Sequence, residues 1–272
     1  MSALSTLAKL GPMTIIVAWL LMALAGGLLP LHPNDVELSK ILLPPAADAW
    51  LGYDDLGRAI ADRLILGAKT SFWVAFWVVG VSLSVGAVIG AVSGYVGGWI
   101  DHLIVRVIDV LLAFPGILLA IALAGILGPG IDNVIIALSV VGWVGFARLA
   151  RAQVLSIRHR EHVLAAIALG AGRVRIVTVH LLPLIAAPLI VEGTFAIAGV
   201  VIAEAGLSYL GLGIQPPDSS WGSMIRDGTR YMLVAPHMVL APGVVLMLVV
   251  LSVNLLGDRM RDWIDVRTRV AR

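Results

Sequence analysis

Cysteine is absent from this chain of 272 residues. That removes a disulfide framework, a thiolate metal site and a cysteine nucleophile together. Charge is scarce as well: 13% of residues are charged and 6% aromatic, against 60% hydrophobic, with a mean hydropathy of +0.99. Soluble domains do not reach that balance, so the sequence reads as an integral membrane protein. Each span takes about 20 residues, and such runs with their connections use up nearly the whole chain. No soluble enzymatic domain fits. A phosphate-cradling loop needs glycines ahead of a Lys-Ser or Lys-Thr pair. Only Lys69-Thr70 has that ending, and Ala68 and Arg63 stand at the glycine positions. Energy for any transport therefore comes from a partner or a gradient. Nucleophile-elbow serines and HExxH are also missing. His159 and His162 share a helical face but sit among arginines, which disfavours a cation, and the eight methionines are too scattered for a soft-metal track. No metal site is expected. The isoelectric point near 9.2 reflects basic residues at membrane boundaries, so these are topology signals and not a nucleic-acid surface.

What is there is a series of apolar runs. Met13 to Leu31 is long enough to span and continues through Leu28 and Leu29 past any cleavage point near Ala23 to Gly27, so it reads as an uncleaved first helix. A polar segment, His32 to Thr70, follows. The second span is expected from Ser71 to about Gly94, with Trp73 and Trp77 at its outer end and Tyr95 and Trp99 beyond its inner end. Gly86, Gly90, Gly94 and Gly98 recur every fourth residue and predict a small-residue stripe for close helix packing. The third span, Leu103 to Leu127, should kink at Phe114-Pro115, and Arg106 with Asp109 should pair on one face. Gly128-Pro129-Gly130 predicts a tight turn before a fourth span, Val134 to Leu149. Pro183 and Pro188 open a fifth span, Leu184 to Leu207, carrying Glu192 and Glu204. Glu204 is expected in or near water, and stands with Glu192 as a candidate pathway or gating residue. Glu192 lies deeper, and reads either as a buried helix contact or as a pathway or gating residue. The last span is Pro236 to Leu256. Six spans put both termini on one side. Lys9, Arg106, the six arginines from Arg148 to Arg175 and the five of the tail share that side, which makes it cytoplasmic.

Between the fourth and fifth runs lies a basic segment. Leu164, Ala165, Ala166, Ala168 and Leu169 favour a short helix, and Gly170 with Gly172 supplies a left-handed stop. Its pattern is two alanines, three residues, Gly170, then nine residues and His180-Leu181-Leu182-Pro183. This resembles the EAA signature of permease subunits of bacterial ABC importers, with His180 pointing to the peptide and nickel branch. Leu164 departs from the pattern, which has glutamate there. Glu161, one turn earlier, stands as the acidic alternative. The block Trp50 to Arg58 with its continuation to Thr70, the run Asp109 to Gly116, the segment Ala205 to Gly213 with Gln215-Pro216-Pro217 and Trp221-Gly222, and the ending Asn254 to Asp258 resemble the same family, over nearly the whole chain.

The resemblance implies an all-α integral membrane protein with six transmembrane helices and the type I ABC importer permease fold. Residues 1–70 would form a first helix and outer loop. Residues 71–272 would form the permease domain, with a coupling helix near 161–170. Arg158, Glu161, Leu164, Ala165, Ala166, Gly170 and Arg173 would couple to an ATP-binding subunit. Asp54, Arg58, Gly211, Gly213 and Trp221 would form the outer contact with a solute-binding protein. Implied partners are a second homologous permease, two ATP-binding subunits holding ATP and Mg, an extracytoplasmic binding protein and the lipid bilayer of the inner membrane. The chain itself would bind no cofactor and catalyse nothing. The implied solutes are di- or oligopeptides, with nickel or a metal chelate as the alternative. A self-contained secondary transporter would require inverted internal repeats, and none is evident. An intramembrane enzyme would need a convergent set of buried catalytic groups, for which Glu192 alone is too little.

Overall fold

The computed structural model describes residues 2–47 and 49–270 and is all-helical, with isolated bridges Ala46 to Ala49 and Tyr53 to Ala59 and no strand among the described residues. In order the helices are α1 (Ser2–Ala25), α2 (Ile60–Val96), α3 (Gly98–Leu112), α4 (Gly116–Leu127), α5 (Ile131–Ile157), α6 (Glu161–Ala168), α7 (Arg173–Arg175), α8 (Leu182–Tyr209), α9 (Trp221–Thr229) and α10 (His237–Val270). Four stretches are long and apolar enough to cross a membrane: Ile60–Val96, Ile131–Ile157, Arg173–Tyr209 and His237–Ile264. The pair α3 and α4, bent by 83°, makes a fifth if counted as one span, and α1 contributes a shorter apolar stretch, Leu10–Ala25. Six spans are thus not reached by length and apolarity alone.

Several boundaries differ from the sequence reading. α2 starts at Ile60, eleven residues before the expected Ser71, so Asp62, Arg63 and Lys69 are helical. α5 runs on to Ile157, past the expected end at Leu149, which puts Arg151 on a helix and not in a connecting loop. The break at Ala113-Phe114-Pro115 is a full bend: the Ala113 N–H still bonds Asp109 O, but Pro115 has no N–H to continue the ladder. α7 and α8 are joined by a π-helical turn, Ile176–Leu181, lying directly ahead of Pro183. A widened turn accommodates a proline ring that would otherwise collide with the carbonyl four residues back.

The chain divides into two compact units. One comprises the chain up to Trp77, Ile121–Ala137 and Ile197–Leu256. Its core is Trp19, Ile60, Leu64, Ala68, Trp221, Met224 and Met238, all at most 6% exposed. Tryptophans lock it through their polar edges: Trp19 Nε1 donates to Ala68 O at 3.2 Å, and Trp221 Nε1 to Leu64 O at 3.1 Å. Ser220 caps α9 reciprocally with Ser223, the hydroxyl of each accepting from the backbone N–H of the other.

The other unit comprises Val78–Ala120, Leu138–Ala196 and the chain from Gly257. Here the glycine stripe meets α5. A methyl group on Gly90 would stand 2.2 Å from Ala147 O, and one on Gly86 2.5 Å from Trp143 O. Gly94 faces Arg151 O and Val154 in the same way, whereas Gly98 meets nothing and, with a φ of +59°, belongs to the turn that starts α3. Three of the four expected stripe positions therefore pack backbone on backbone.

Candidate functional site

Glu161 opens α6, which is anchored by one buried side chain, Val163. The rest of the helix is open: Glu161 and Ala165 are exposed, Ala166 is half-buried, and Leu164, Ile167 and Leu169 are 48%, 44% and 88% exposed. The helix ends in a Schellman motif, with Ala171 N donating to Ala166 O at 3.0 Å and Gly170 N to Ile167 O at 2.9 Å. Gly170 carries the required positive φ, +84°. Gly172 does not: its φ of −67° and ψ of 157° are extended, and it serves as the N-cap of α7. Arg173 is exposed at the start of α7. Arg158 faces elsewhere. Its Nη1 donates to Gly94 O at 3.0 Å, satisfying a carbonyl of the last turn of α2, where a cation is favoured.

A second cluster fixes the basic ends of α3 and α5. Arg151 donates to both Asp101 oxygens, at 2.6 and 2.7 Å, and Ser93 Oγ donates to the same carboxylate. The expected pair of Arg106 and Asp109 does not form. Three residues' spacing permits contact, but no ion pair joins the two, and Asp109 lines a cavity of about 560 Å³ with Val105, Ile108, Gly145, Arg148, Leu149, Arg151, Ala152 and Glu192. Glu192 is exposed to that cavity and to a second, of about 340 Å³, that it shares with Gln153 and Arg261. Glu192 is thus exposed and is not a buried helix contact.

Glu204 overturns its expectation. It is 2% exposed and accepts from Ser208 Oγ at 2.7 Å and Ser71 Oγ at 3.2 Å, joining α8 to α2. The sequence could not show Ser71, 133 residues away.

Most of the expected outer-contact residues are turned inward. Asp54 and Arg58 are 5% and 8% exposed. Asp54 Oδ1 accepts from Leu56 N and Arg58 N, both at 2.9 Å, and Oδ2 from Arg58 Nε at 2.7 Å, with Arg63 Nε at 3.5 Å. Two cations thus share one buried carboxylate. Asp55 lies alongside, with Arg58 Nη2 at 3.7 Å, and its Oδ1 is buried without a hydrogen bond. Burial, reinforced by the charge of Asp54, raises the Asp55 carboxyl above its ordinary 3.8. Trp221 is fully buried. Gly211, with a φ of +85°, ends α8 in a second Schellman motif: Leu212 N donates to Leu207 O and Gly211 N to Ser208 O. Gly213 packs so tightly on Ser208 that a methyl group would lie 1.9 Å from its Oγ. These residues build the frame, and the exposed surface on it is Gln215 to Asp218.

The chain is similar to known proteins along almost its full length. The Dipeptide transport system permease protein DppC of Alkalihalophilus pseudofirmus is 41% identical over 256 residues, 94% of this chain and 84% of that one. The Nickel transport system permease protein NikC of Escherichia coli K12 is 39% identical over 87% of this chain and 86% of its own. The Glutathione transport system permease protein GsiD of Shigella flexneri is 43% identical over 83% of this chain and 74% of its own. Among solved structures, an inward-facing form of the MetNI methionine ABC transporter superposes with a TM-score of 0.59 at 21% identity, over 74% of this chain and 95% of that one. A family model described as Binding-protein-dependent transport system inner membrane component matches residues 86–270. With a buried glycine-packed helix pair, an open short helix and that match together, the chain belongs to the family of inner membrane components of binding-protein-dependent transport systems.

Proposed function

We propose that this chain is one of two homologous permease subunits of an ATP-driven importer, with six spans formed by α1, α2, the bent pair α3 and α4, α5, the helical run α7 to α8, and α10. The single observation that carries this reading is α6. A short helix held by Val163 and stopped at Gly170 leaves Leu164, Ile167 and Leu169 uncovered beside Glu161 and Arg173, which suits a groove on a separate ATP-binding subunit. Two such subunits, holding ATP and Mg, would drive alternating access through α6. The arginine distribution supports placing α6 and both termini on the cytoplasmic side. An extracytoplasmic binding protein would deliver solute to the surface framed by Asp54, Arg58, Gly211, Gly213 and Trp221. Glu192 would line the pathway, while Glu204 would hold the gate's frame together from within.

Di- or oligopeptides are the proposed solutes, since relatives named for dipeptide and for glutathione transport match most of the chain. The relative named for nickel transport makes nickel or a metal chelate the second reading. The test uses the whole transporter in vesicles. Leu164→Arg, at an exposed position, should abolish ATP-driven uptake and the stimulation of ATP hydrolysis by loaded binding protein, with assembly of the membrane subunits intact. Gly170→Asp should do the same by straining the stop. Full coupling in both variants would remove α6 from this role.

A further inference from the structure

The cavity between α3, α5 and α8 has a composition that coupling does not explain. On α5, Gly145, Arg148, Leu149 and Ala152 fall on one helical face, and on α3 so do Val105, Ile108 and Asp109. Four charged groups of the lining, Asp109, Arg148, Arg151 and Glu192, balance to zero formal charge. Arg151 is committed to Asp101 by two hydrogen bonds. Among the described residues, the side chains of Arg148, Asp109 and Glu192 have no ion-pair partner, and all three are exposed. Charged groups on membrane-spanning helices are costly and face a cavity, a partner or a pathway. Here one free cation and two free carboxylates face a common space of about 560 Å³, within the range of sites for small organic solutes.

The signs restrict what fits. A bare divalent cation would meet Arg148 and Arg151, and a simple anion would meet Asp109 and Glu192. A solute carrying one charge of each sign, some distance apart, satisfies both walls. We propose that this cavity is a passage site for zwitterionic solutes with free ammonium and carboxylate groups, in which Arg148 receives the carboxylate and Glu192, with Asp109, the ammonium. This rests on the permease reading above and adds a selective element inside the membrane component itself.

Gly145 offers a direct test, because a side chain there meets nothing within 4 Å and the chain has no cysteine of its own. Inverted vesicles carrying the complete transporter with Gly145→Cys are treated with N-ethylmaleimide, and labelling of this chain is followed. Dialanine at about 10 mM should slow labelling about fivefold, as expected for a dissociation constant of a few millimolar. N-acetyl-dialanine amide, without terminal charges, should leave the rate unchanged. Arg148→Gln and Glu192→Gln should each remove the protection by dialanine. Equal protection by both peptides, protection that survives both substitutions, protection by Ni²⁺ where dialanine gives none, or no protection by any probe would overturn the proposal. The last result, with weakened assembly in the two variants, would assign the charges to contacts with the second permease. ATP-driven uptake from the binding protein is measured separately on right-side-out vesicles of the same transporter loaded with ATP: its absence with the unmodified chain would sink the permease reading, whatever the labelling shows.

Discussion

Replacing Gly90 with alanine is the most exacting test of the helix packing. The added methyl carbon would lie 2.2 Å from Ala147 O and 2.8 Å from Ala150 Cβ. An ordinary carbon-to-oxygen contact is about 1 Å longer, and the obstructing atom is a backbone carbonyl in the middle of α5, which has no rotamer to change. α2 and α5 must separate; overpacking costs about 1–3 kcal/mol, and against an immovable backbone carbonyl the upper part of that range applies, about 2–3 kcal/mol. Alanine also favours the helix by about 1 kcal/mol over glycine, so the net loss should be about 1–2 kcal/mol. Gly80, ten residues earlier on α2, has nothing within 4 Å, so Gly80→Ala keeps the gain without the clash. The two variants should differ by about 2–3 kcal/mol. Apparent melting of the purified transporter in detergent, at one fixed scan rate, should place Gly90→Ala several degrees below wild type and Gly80→Ala at or above it. A Gly90→Ala protein as stable as Gly80→Ala would refute the backbone contact between α2 and α5.

Other expectations follow from the buried cluster around Asp54 and Trp221. Asp54→Ala leaves Arg58 and Arg63 buried without their shared carboxylate and should cost about 3–5 kcal/mol, seen as faster proteolysis of the segment between α1 and α2. For Asp55 the sign is opposite: its folded pKa is raised, so its stabilising contribution is full below pH 3.8 and is lost as pH rises through the raised value. Asp55→Asn should therefore resist proteolysis in the segment between α1 and α2 better than wild type at pH 7 and equally at pH 3. Trp221→Ala should cost about 3–5 kcal/mol through the void it leaves, whereas Trp221→Phe, losing chiefly the bond to Leu64 O, should cost about 1 kcal/mol; equal melting temperatures for the two would contradict the packing.

Local signals in the sequence were sufficient where the physics is local. Phe114-Pro115 marked the bend, Gly170 the stop of α6, and the four-residue glycine period the face that α5 covers. The reading failed where a charge was judged without its distant partner. Asp62 and Arg63 fall in the polar segment ahead of the expected second span, but the Asp62 carboxylate accepts from His32 N at 2.9 Å, Arg63 lies beside Asp54, and α2 carries both. Glu204 looked wet for the same reason, its partner Ser71 being on another helix. Arg106 and Asp109 show the reverse error: helical spacing permitted a pair, and the cavity gives Asp109 another place to face.

The π turn at Ile176–Leu181 has an arithmetical consequence. A π turn holds one residue more than the α turn it replaces, so α8 is out of phase with α7 by one step of the helical wheel, roughly 100°. Glu192, Val191 and Phe195 point where they do because of that surplus residue. Removing one residue from the turn would let it close as ordinary α-helix with Arg173 and Pro183 both kept in orientation, whereas an added residue anywhere else between α6 and Glu192 would turn the carboxylate away from Arg148. The phase of that cavity wall is thus written in a single turn, a few residues after the short open helix α6.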